Sequence, residues 1–597
     1  MVDAQQMENH GKGIKMSLKK ENADNINRLK LSFLWTYVFG LIAHGFVYLN
    51  TTYNHDGSMI YLTDDEWKIS IGRYMGVFYR YFRSRYSAPW LTGMLALCYL
   101  ALCTFIIVMI FDIKKPAFIA AIGACFATNY SLIFMNASTI HESDTYMLSV
   151  LIYVLAAFFL IESSNKCTDE KENRQGILKI LNNKYICIAL SGICIGLALG
   201  IYQAYITMPF AIVVIFCCLS LLRNEKVKDN LIRVAYSIAA YVIGAIVYVV
   251  GLKAYSAITG VAMNEDGHNS ITGVFSLAGW DIAEGLANAY KLFYHQFFDI
   301  TKFNYRFLVA ANGVLIIGCV ALALYMAFKR RINKINLILV IVILALMPAI
   351  LGALYMLSLI GHIMMCQYIL VYVFPLVLVY EYVYGPNAGK TISNSEGAFA
   401  VQTEDNEPDK HNENNNIDIE GPNKATEFND KKKNRFTMQQ AVALVCLICI
   451  FTVTYYSVTF ANAYYLEQHL EYQSTREYMS NVLNDVARLD GYVPGETEVL
   501  FIGLPQWSDM AHSRDGYTGF ELDSKGWDYE YNYSITGYYT YTWFVNQIMN
   551  ENVYVGSEEE AIEYTMIPEI SDMPEYPKEG SIQMYDDKAI VKIGRWY

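Results

Sequence analysis

Residues 50–90 read NTTYNHDGSMIYLTDDEWKISIGRYMGVFYRYFRSRYSAPW, a polar island between two long apolar runs. Acids come first (Asp56, Asp64, Asp65, Glu66), and basic residues follow (Lys68, Arg73, Arg80, Arg83, Arg85). The flanking runs, 31–49 and 90–111, each approach the roughly 20 apolar residues of helix needed to cross a hydrocarbon core. Within the island, residues 67–86 place Ile69, Gly72, Met75, Gly76 and Tyr79 at helical spacing, with Arg73, Arg80 and Arg83 interleaved. This pattern predicts a helix lying in a membrane interface, its aromatic side toward lipid and its cationic side toward head groups. The plain version of that reading is a basic anchor for anionic lipid. The sharper one is a site for an anionic, lipid-linked substrate.

The rest of the chain repeats the alternation. It has 597 residues, 54% hydrophobic and 17% charged, with a mean hydropathy of +0.23. That balance predicts an α-helical polytopic membrane protein rather than a soluble one. Further apolar runs cover 116–135, 145–161, 234–252, 307–328, 335–360, 368–384 and 438–460. Residues 185–222 make a run nearly twice as long, broken by Gly200, Tyr202, Gln203 and Pro209, which reads as a helical hairpin. About eleven transmembrane helices result.

Short basic turns at 114–115, 166–184, 223–233, 329–334 and 431–435 all fall on one side, and the excess of Lys and Arg makes that side cytoplasmic. The expected organisation follows. Residues 1–30 form a cytoplasmic N-terminal tail without signal-peptide character. Residues 31–384 form a membrane core with outer loops 50–90, 136–144 and 254–306. Residues 385–436, rich in Asn, Asp, Glu and Lys, read as a disordered cytoplasmic linker. Residues 437–460 are the last span. Residues 461–597, with roughly three acids for each base, form an extracytoplasmic α/β domain in which 498–503 reads as a strand. The arginines of the first outer loop run against the charge rule, and function is the natural reason for such an exception.

A net charge of −12 excludes nucleic acid as a partner. Cys98, Cys103, Cys187, Cys217, Cys218, Cys446 and Cys449 sit in apolar runs, as small hydrophobes do, and give no disulfide framework or zinc spacing. The polar residues that converge on the outer side carry the chemistry. Asp56 follows a helix end, where a carboxylate can take a proton from an attacking hydroxyl or simply close the helix. Asp64 and Asp65 are candidate ligands or N-caps for the helix that follows, and Glu142 and Asp144 flank the start of another helix, with the same two options. Arg73, beside Gly72, suits phosphate recognition. Tyr202 and Gln203 stand at a helix break, where polar groups inside a membrane protein tend to be functional. The aromatic stretch 527–543 offers faces for a glycan, or else an interfacial belt or an ordinary core.

Three motifs occur in order: His55-Asp56, with Ile69-Ser70-Ile71-Gly72-Arg73 and Ala88-Pro89-Trp90-Leu91 after it; Thr139 with Asp144-Thr145-Tyr146-Met147-Leu148; and Gly200-Ile201-Tyr202-Gln203-Ala204-Tyr205. Together they resemble the serotype-converting glucosyltransferase family of bacteria and phages, over roughly residues 31–384. That family is similar to the integral-membrane glycosyltransferases of GT-C type. The resemblance implies a hexose donor on a polyprenyl-phosphate carrier and a cell-envelope glycan acceptor, both used at the outer face of the bacterial cytoplasmic membrane. It implies Asp56 as general base, Arg73 at the carrier phosphate, and Asp144 and Gln203 in the pocket. A late outer turn in such proteins often carries an arginine; here it reads His362-Ile363-Met364-Met365, and His362 replaces that cation only when protonated. No nucleotide loop is found, and although the outer acids are compatible with a divalent cation, no ligand spacing argues for one. A polysaccharide polymerase or ligase shares these features. A lipid-linked glycan transporter would instead want ionisable residues at mid-membrane and inverted repeats.

Overall fold

The computed structural model describes residues 2–50, 52–53, 65–83, 88–164, 181–264, 282–299, 306–356, 362–386, 437–505 and 534–594. Among these, eleven helices are long and apolar enough to cross a membrane. The chain begins with α1 (Val2–Leu49), two short helices α2 (Asp65–Ser70) and α3 (Tyr74–Arg83), and α4 (Pro89–Ile110). Next come α5 (Pro116–Ala127), α6 (Tyr130–Ser138) and α7 (Ser143–Ser164), the last preceded by a 3-10 turn at Ile140–Glu142. Then follow α8 (Lys184–Ile201), a 3-10 turn at Gln203–Tyr205, α9 (Met208–Leu222) and α10 (Val227–Thr259). The bundle is completed by α11 (Ile282–Phe298), α12 (Arg306–Lys329), α13 (Lys334–Leu351), α14 (Leu370–Tyr384) and α15 (Met438–Val486).

Prolines at the first positions of α4 and α5 start those helices where the missing N–H costs nothing. The hairpin break falls where Gly200 to Pro209 places it: α8 stops at Ile201 and α9 resumes at Met208. Elsewhere the helices depart from the hydropathy pattern. The run 116–135 is two helices, because the Asn129 side chain caps α6, accepting from the Leu132 N–H at 2.8 Å and donating to the Phe126 carbonyl at 2.7 Å. The break frees the Ala127 carbonyl, and the buried His44 of α1 satisfies it through Nε2 at 2.8 Å. That bond makes Nε2 a donor, and Nδ1 lies 2.8 Å from the hydroxyl of Tyr465, which also reaches the Ile133 carbonyl at 3.2 Å.

Three more departures matter. The stretch 254–306 carries a full helix, α11, whose buried Phe297 meets Asn312 of α12 and Tyr372 of α14, while the buried Ala289 packs against Gly352 at the end of α13. Helix α13 ends at Leu351 rather than near 360, giving way to a 3-10 turn at Ala353–Met356. Helix α15 does not stop at Phe460. Its apolar half gives way to an amphipathic half with Tyr464, Tyr465, Gln468, Tyr472, Thr475, Met479, Val482 and Val486 buried at helical spacing, so the helix runs on for 49 residues.

One end of the bundle gathers the basic turns. Arg223 and Arg330 hold Glu381 at 2.7 and 3.2 Å, Arg28 holds Asp112 at 2.8 Å, and the Lys114 N–H donates to the Tyr380 hydroxyl at 2.9 Å. The opposite ends of α4 and α7 meet α2, α3 and the 202–205 turn. Past α15, a small domain is built on a four-stranded sheet: β1 (Glu498–Ile502), β2 (Tyr554–Val555), β3 (Ile582–Tyr585) and β4 (Lys588–Lys592), in the order β2-β1-β4-β3. Strand β1 runs parallel to β2 and β4, while β3 and β4 pair antiparallel. Between β1 and β2 lie α16 (Tyr538–Thr542) and a π-helical turn (Trp543–Ile548). Val499, Leu500, Phe501, Ala589, Ile590 and Val591 are fully buried against the far end of α15.

Candidate active site

Helices α2 and α3 turn their cations inward. Lys68 bonds Glu142; Arg80 bonds Asp65 and also approaches Glu142 at 3.4 Å; Arg83 pairs with Asp144 at 3.2 Å. These side chains are almost wholly enclosed, with Glu142 2% and Asp144 0% exposed. The outer face of α3 is aromatic instead, with Phe78 56%, Tyr81 53% and Phe82 85% exposed. The expectation of cations facing lipid head groups is therefore corrected at Lys68, Arg80 and Arg83. Their partners are Asp65 of α2, Glu142 just before α7 and Asp144 in its first turn, and a buried charge needs such a partner more than an exposed one does.

Tyr79 extends the array. Its hydroxyl donates to Asp144 Oδ2 at 3.0 Å, which leaves Tyr99 to donate to Tyr79 at 2.8 Å. Burial, with Asp144 alongside, pushes the Tyr79 phenol well above its ordinary value and keeps it a donor. Burial also pulls the Lys68 ammonium below its ordinary value, against the opposing pull of Glu142.

Arg73 sits in the bend between α2 and α3, half-buried at the edge of the array. Its guanidinium lies 4.8 Å from the Tyr202 ring centroid and 5.9 Å from that of Trp67, and Nη1 donates to the Tyr146 hydroxyl at 3.3 Å. Tyr202 in turn stacks on Tyr146 at 4.2 Å. The bend depends on Gly72, at φ +84°. The space beside Gly72 is filled: a Cβ there would lie 2.1 Å from the Tyr248 hydroxyl. Gln203, expected in the pocket, clamps this bend, donating to the Ile71 carbonyl at 3.2 Å and the Tyr248 hydroxyl at 3.3 Å.

The structure thus brings Asp65, Arg73, Glu142, Asp144, Tyr202 and Gln203 together. Asp56 and Asp64 lie outside the described residues. His362 stands apart from the ion pairs, stacked on Phe134 at 4.6 Å and edge-on to Tyr130 at 5.6 Å. Its neighbour Ile363 ties that turn to the helix break, its carbonyl accepting from Ser131 and from Tyr205, each at 2.7 Å. Beside this turn is a cavity of about 70 Å³ whose lining includes Asn129, Ser131, Asn312, Tyr368, Thr454 and Phe460. Lys68, Tyr79, Arg80 and Arg83, read from the sequence as parts of the amphipathic stretch, and Tyr146, read only within a motif, join the site, as does Tyr248, which the sequence did not single out. The seven-residue step from Arg73 to Arg80 and the four-residue step from Tyr79 to Arg83 were the available signals.

Chemically, the array is an anion-compensating mouth. Three acids set against four cations (Asp65, Glu142 and Asp144; Lys68, Arg73, Arg80 and Arg83) leave it formally one charge positive. Among the described residues no group of three His, Cys, Asp or Glu could hold a metal ion. No curated protein and no solved structure gives a significant match to the chain. A family model does match: glucosyl transferase GtrII, over residues 45–383. The match takes in α2, α3, the ion pairs at the start of α7, the 202–205 break and the His362 turn. Because it covers more than half of the 597 residues, the chain belongs to the GtrII glucosyl transferase family and is a glycosyltransferase.

Proposed function

We propose that this enzyme is a multi-pass protein of the bacterial cytoplasmic membrane. It transfers a hexose, glucose by the family's activity, from a polyprenyl-phosphate carrier to a cell-surface polysaccharide on the outer face. The observation that carries this reading is the buried cation array at one end of the bundle, with the half-exposed Arg73 at its edge. The end opposite the basic turns faces outward under the charge rule. A phosphate-linked donor needs fixed positive charge where its leaving group gathers negative charge, and water-excluded guanidinium groups supply it without reorganising.

In the proposed reaction, an acceptor hydroxyl oxygen attacks the anomeric carbon as the bond from that carbon to the phosphate oxygen breaks. The bonding electron pair leaves with the polyprenyl phosphate, and the hydroxyl proton goes to Asp56 as general base. Arg73 meets the phosphate. Asp65, Glu142 and Asp144 keep Lys68, Arg80 and Arg83 in place, and Tyr202 supports Arg73 from below. The mixed cavity beside the His362 turn supports a place for the first isoprene units.

The test is transfer from a radiolabelled polyprenyl-phosphate hexose in membranes holding the wild-type chain or Asp56→Asn. Label should enter polymer with wild type and be lost, at equal expression, in the variant. A folded Asp56→Asn enzyme with unchanged turnover removes Asp56 from the role of base. Label crossing the membrane on its carrier, with none transferred, replaces the whole reading with transport.

A further inference from the structure

We propose that Tyr539 and Trp543, on the C-terminal sheet domain, form a docking platform for pyranose rings of the acceptor glycan. The inference rests on the glycosyl-transfer reading above. The aromatic run that ends at Trp543 divides cleanly within the described residues. Tyr538 and Tyr541 turn inward, 4% and 0% exposed; Tyr541 stacks on Phe501 at 4.4 Å and donates to the Gly503 carbonyl at 2.9 Å. Those two build the core. Tyr539 and Trp543 belong to neither the sheet domain's core nor its apolar margin. Tyr539 is 48% exposed and Trp543 half-buried, and their rings meet at 5.1 Å and 72°. An (i, i+4) step sets both on one face.

The pair is rigidly mounted. A Cβ on Gly537 would come 2.7 Å from the Tyr539 ring, so the bare glycine lets that ring lie back against the backbone. On the far side, Asn546 donates to the Val553 carbonyl at 2.8 Å and accepts from the Val553 N–H at 3.0 Å, pinning the π-helical turn that starts at Trp543. Such turns widen the helix and recur at functional sites. The pair is also tied to the mouth of the bundle. Phe544, next to Trp543, packs edge-on against Tyr472 of α15 at 6.2 Å, and Tyr472 meets Tyr53, just past the first span, at 5.5 Å.

Chemistry selects the occupant. Two angled rings beside the exposed Thr542 match the apolar C–H face and polar rim of a sugar ring. Two side chains are too small an area for a stable protein partner. Residues 461–597 carry 24 acids against 8 bases, which repels an anionic lipid surface.

The test uses the full-length chain in neutral-lipid nanodiscs, with the delipidated polysaccharide that takes up label in the wild-type assay as the probe. Tyr539→Ala with Trp543→Ala should raise the acceptor KM by roughly tenfold while leaving kcat and the donor KM near wild type. Trp543→Phe, which keeps an aromatic face, should restore most of the affinity. If the double variant fails to fold, Tyr539→Ser carries the same test at a half-exposed position. An acceptor KM unchanged by these substitutions overturns this inference alone. A wild-type chain that transfers no hexose overturns the functional reading, and the platform with it.

Discussion

Glu142→Gln is the sharpest test of the buried array. Glu142 accepts from Lys68 and also faces Arg80; Arg80 keeps Asp65 when the charge at 142 is lost, but Lys68 does not keep an acid partner. Breaking one side of a buried pair costs about 3–5 kcal/mol, because the remaining charge stays desolvated. Lys68 has an escape, since burial already pulls its ammonium down and losing Glu142 pulls it further. The expected loss is therefore at the low end, about 3 kcal/mol near neutral pH.

The sign with pH is fixed. A lysine whose folded pKa lies below its unfolded one leaves the folded chain with fewer protons between the two values, so stability rises with pH there. The deficit of Glu142→Gln should narrow as pH climbs toward the ordinary lysine value, about 10. The buried cysteines provide the assay: a thiol-reactive dye reports their exposure as the detergent-solubilised chain is heated at a fixed rate. Adding Lys68→Met to Glu142→Gln should recover most of the loss, since a neutral pair of similar shape leaves no stranded charge. A Glu142→Gln chain as stable as wild type, or a double variant no more stable than the single one, refutes the paired, buried geometry. If the double variant is stable but transfers no hexose, the pair positions the site as well as supporting the fold.

Two further outcomes follow from local geometry. Gly72→Ala should cost about 2 kcal/mol or more, combining left-handed backbone strain with overlap against Tyr248; melting with Tyr248→Phe added should recover the overlap part alone. In the sheet domain, burial lowers the pKa of Lys588, but its bonds to Glu498 and Glu560 outweigh that and raise it above its ordinary value. Its stabilising effect is complete below the ordinary lysine value and fades as pH rises through the elevated one. Hydrogen exchange of the β1 and β4 amides should therefore be flat with pH-corrected rate up to about pH 10, accelerate above it, and lose that alkaline step in Lys588→Met.

Spans and hairpin were legible in the sequence because the apolar length a bilayer demands is local, and so is the Gly200-to-Pro209 break. The split at Asn129 was not legible, since its stability depends on His44 some eighty residues earlier reaching the Ala127 carbonyl. The facing of α3 was misread for the same reason. Its periodicity shows an aromatic side and a cationic side, but which one turns inward is decided by Glu142 and Asp144 on another helix. Those two acids were visible as polar residues at a helix start, and Tyr202 and Gln203 as polar residues at a break. Tyr248 was invisible, being a tyrosine in an apolar run until Gly72 meets it. Helix α15 outlasted its hydropathy because amphipathic spacing continues where apolar content ends.

That helix has a mechanical consequence. It holds neither glycine nor proline across 49 residues, and at 1.5 Å per residue it extends roughly 70 Å, more than twice a bilayer's hydrocarbon core of about 30 Å. The sheet domain is thus mounted on a stiff mast rather than tethered by a flexible leash. The length beyond Phe460 is roughly 40 Å, so a tilt of about 10° at the base sweeps its tip through about 7 Å, more than the width of one sugar ring. Small changes in how the apolar half of the helix leans are geared up into large changes in where the domain stands.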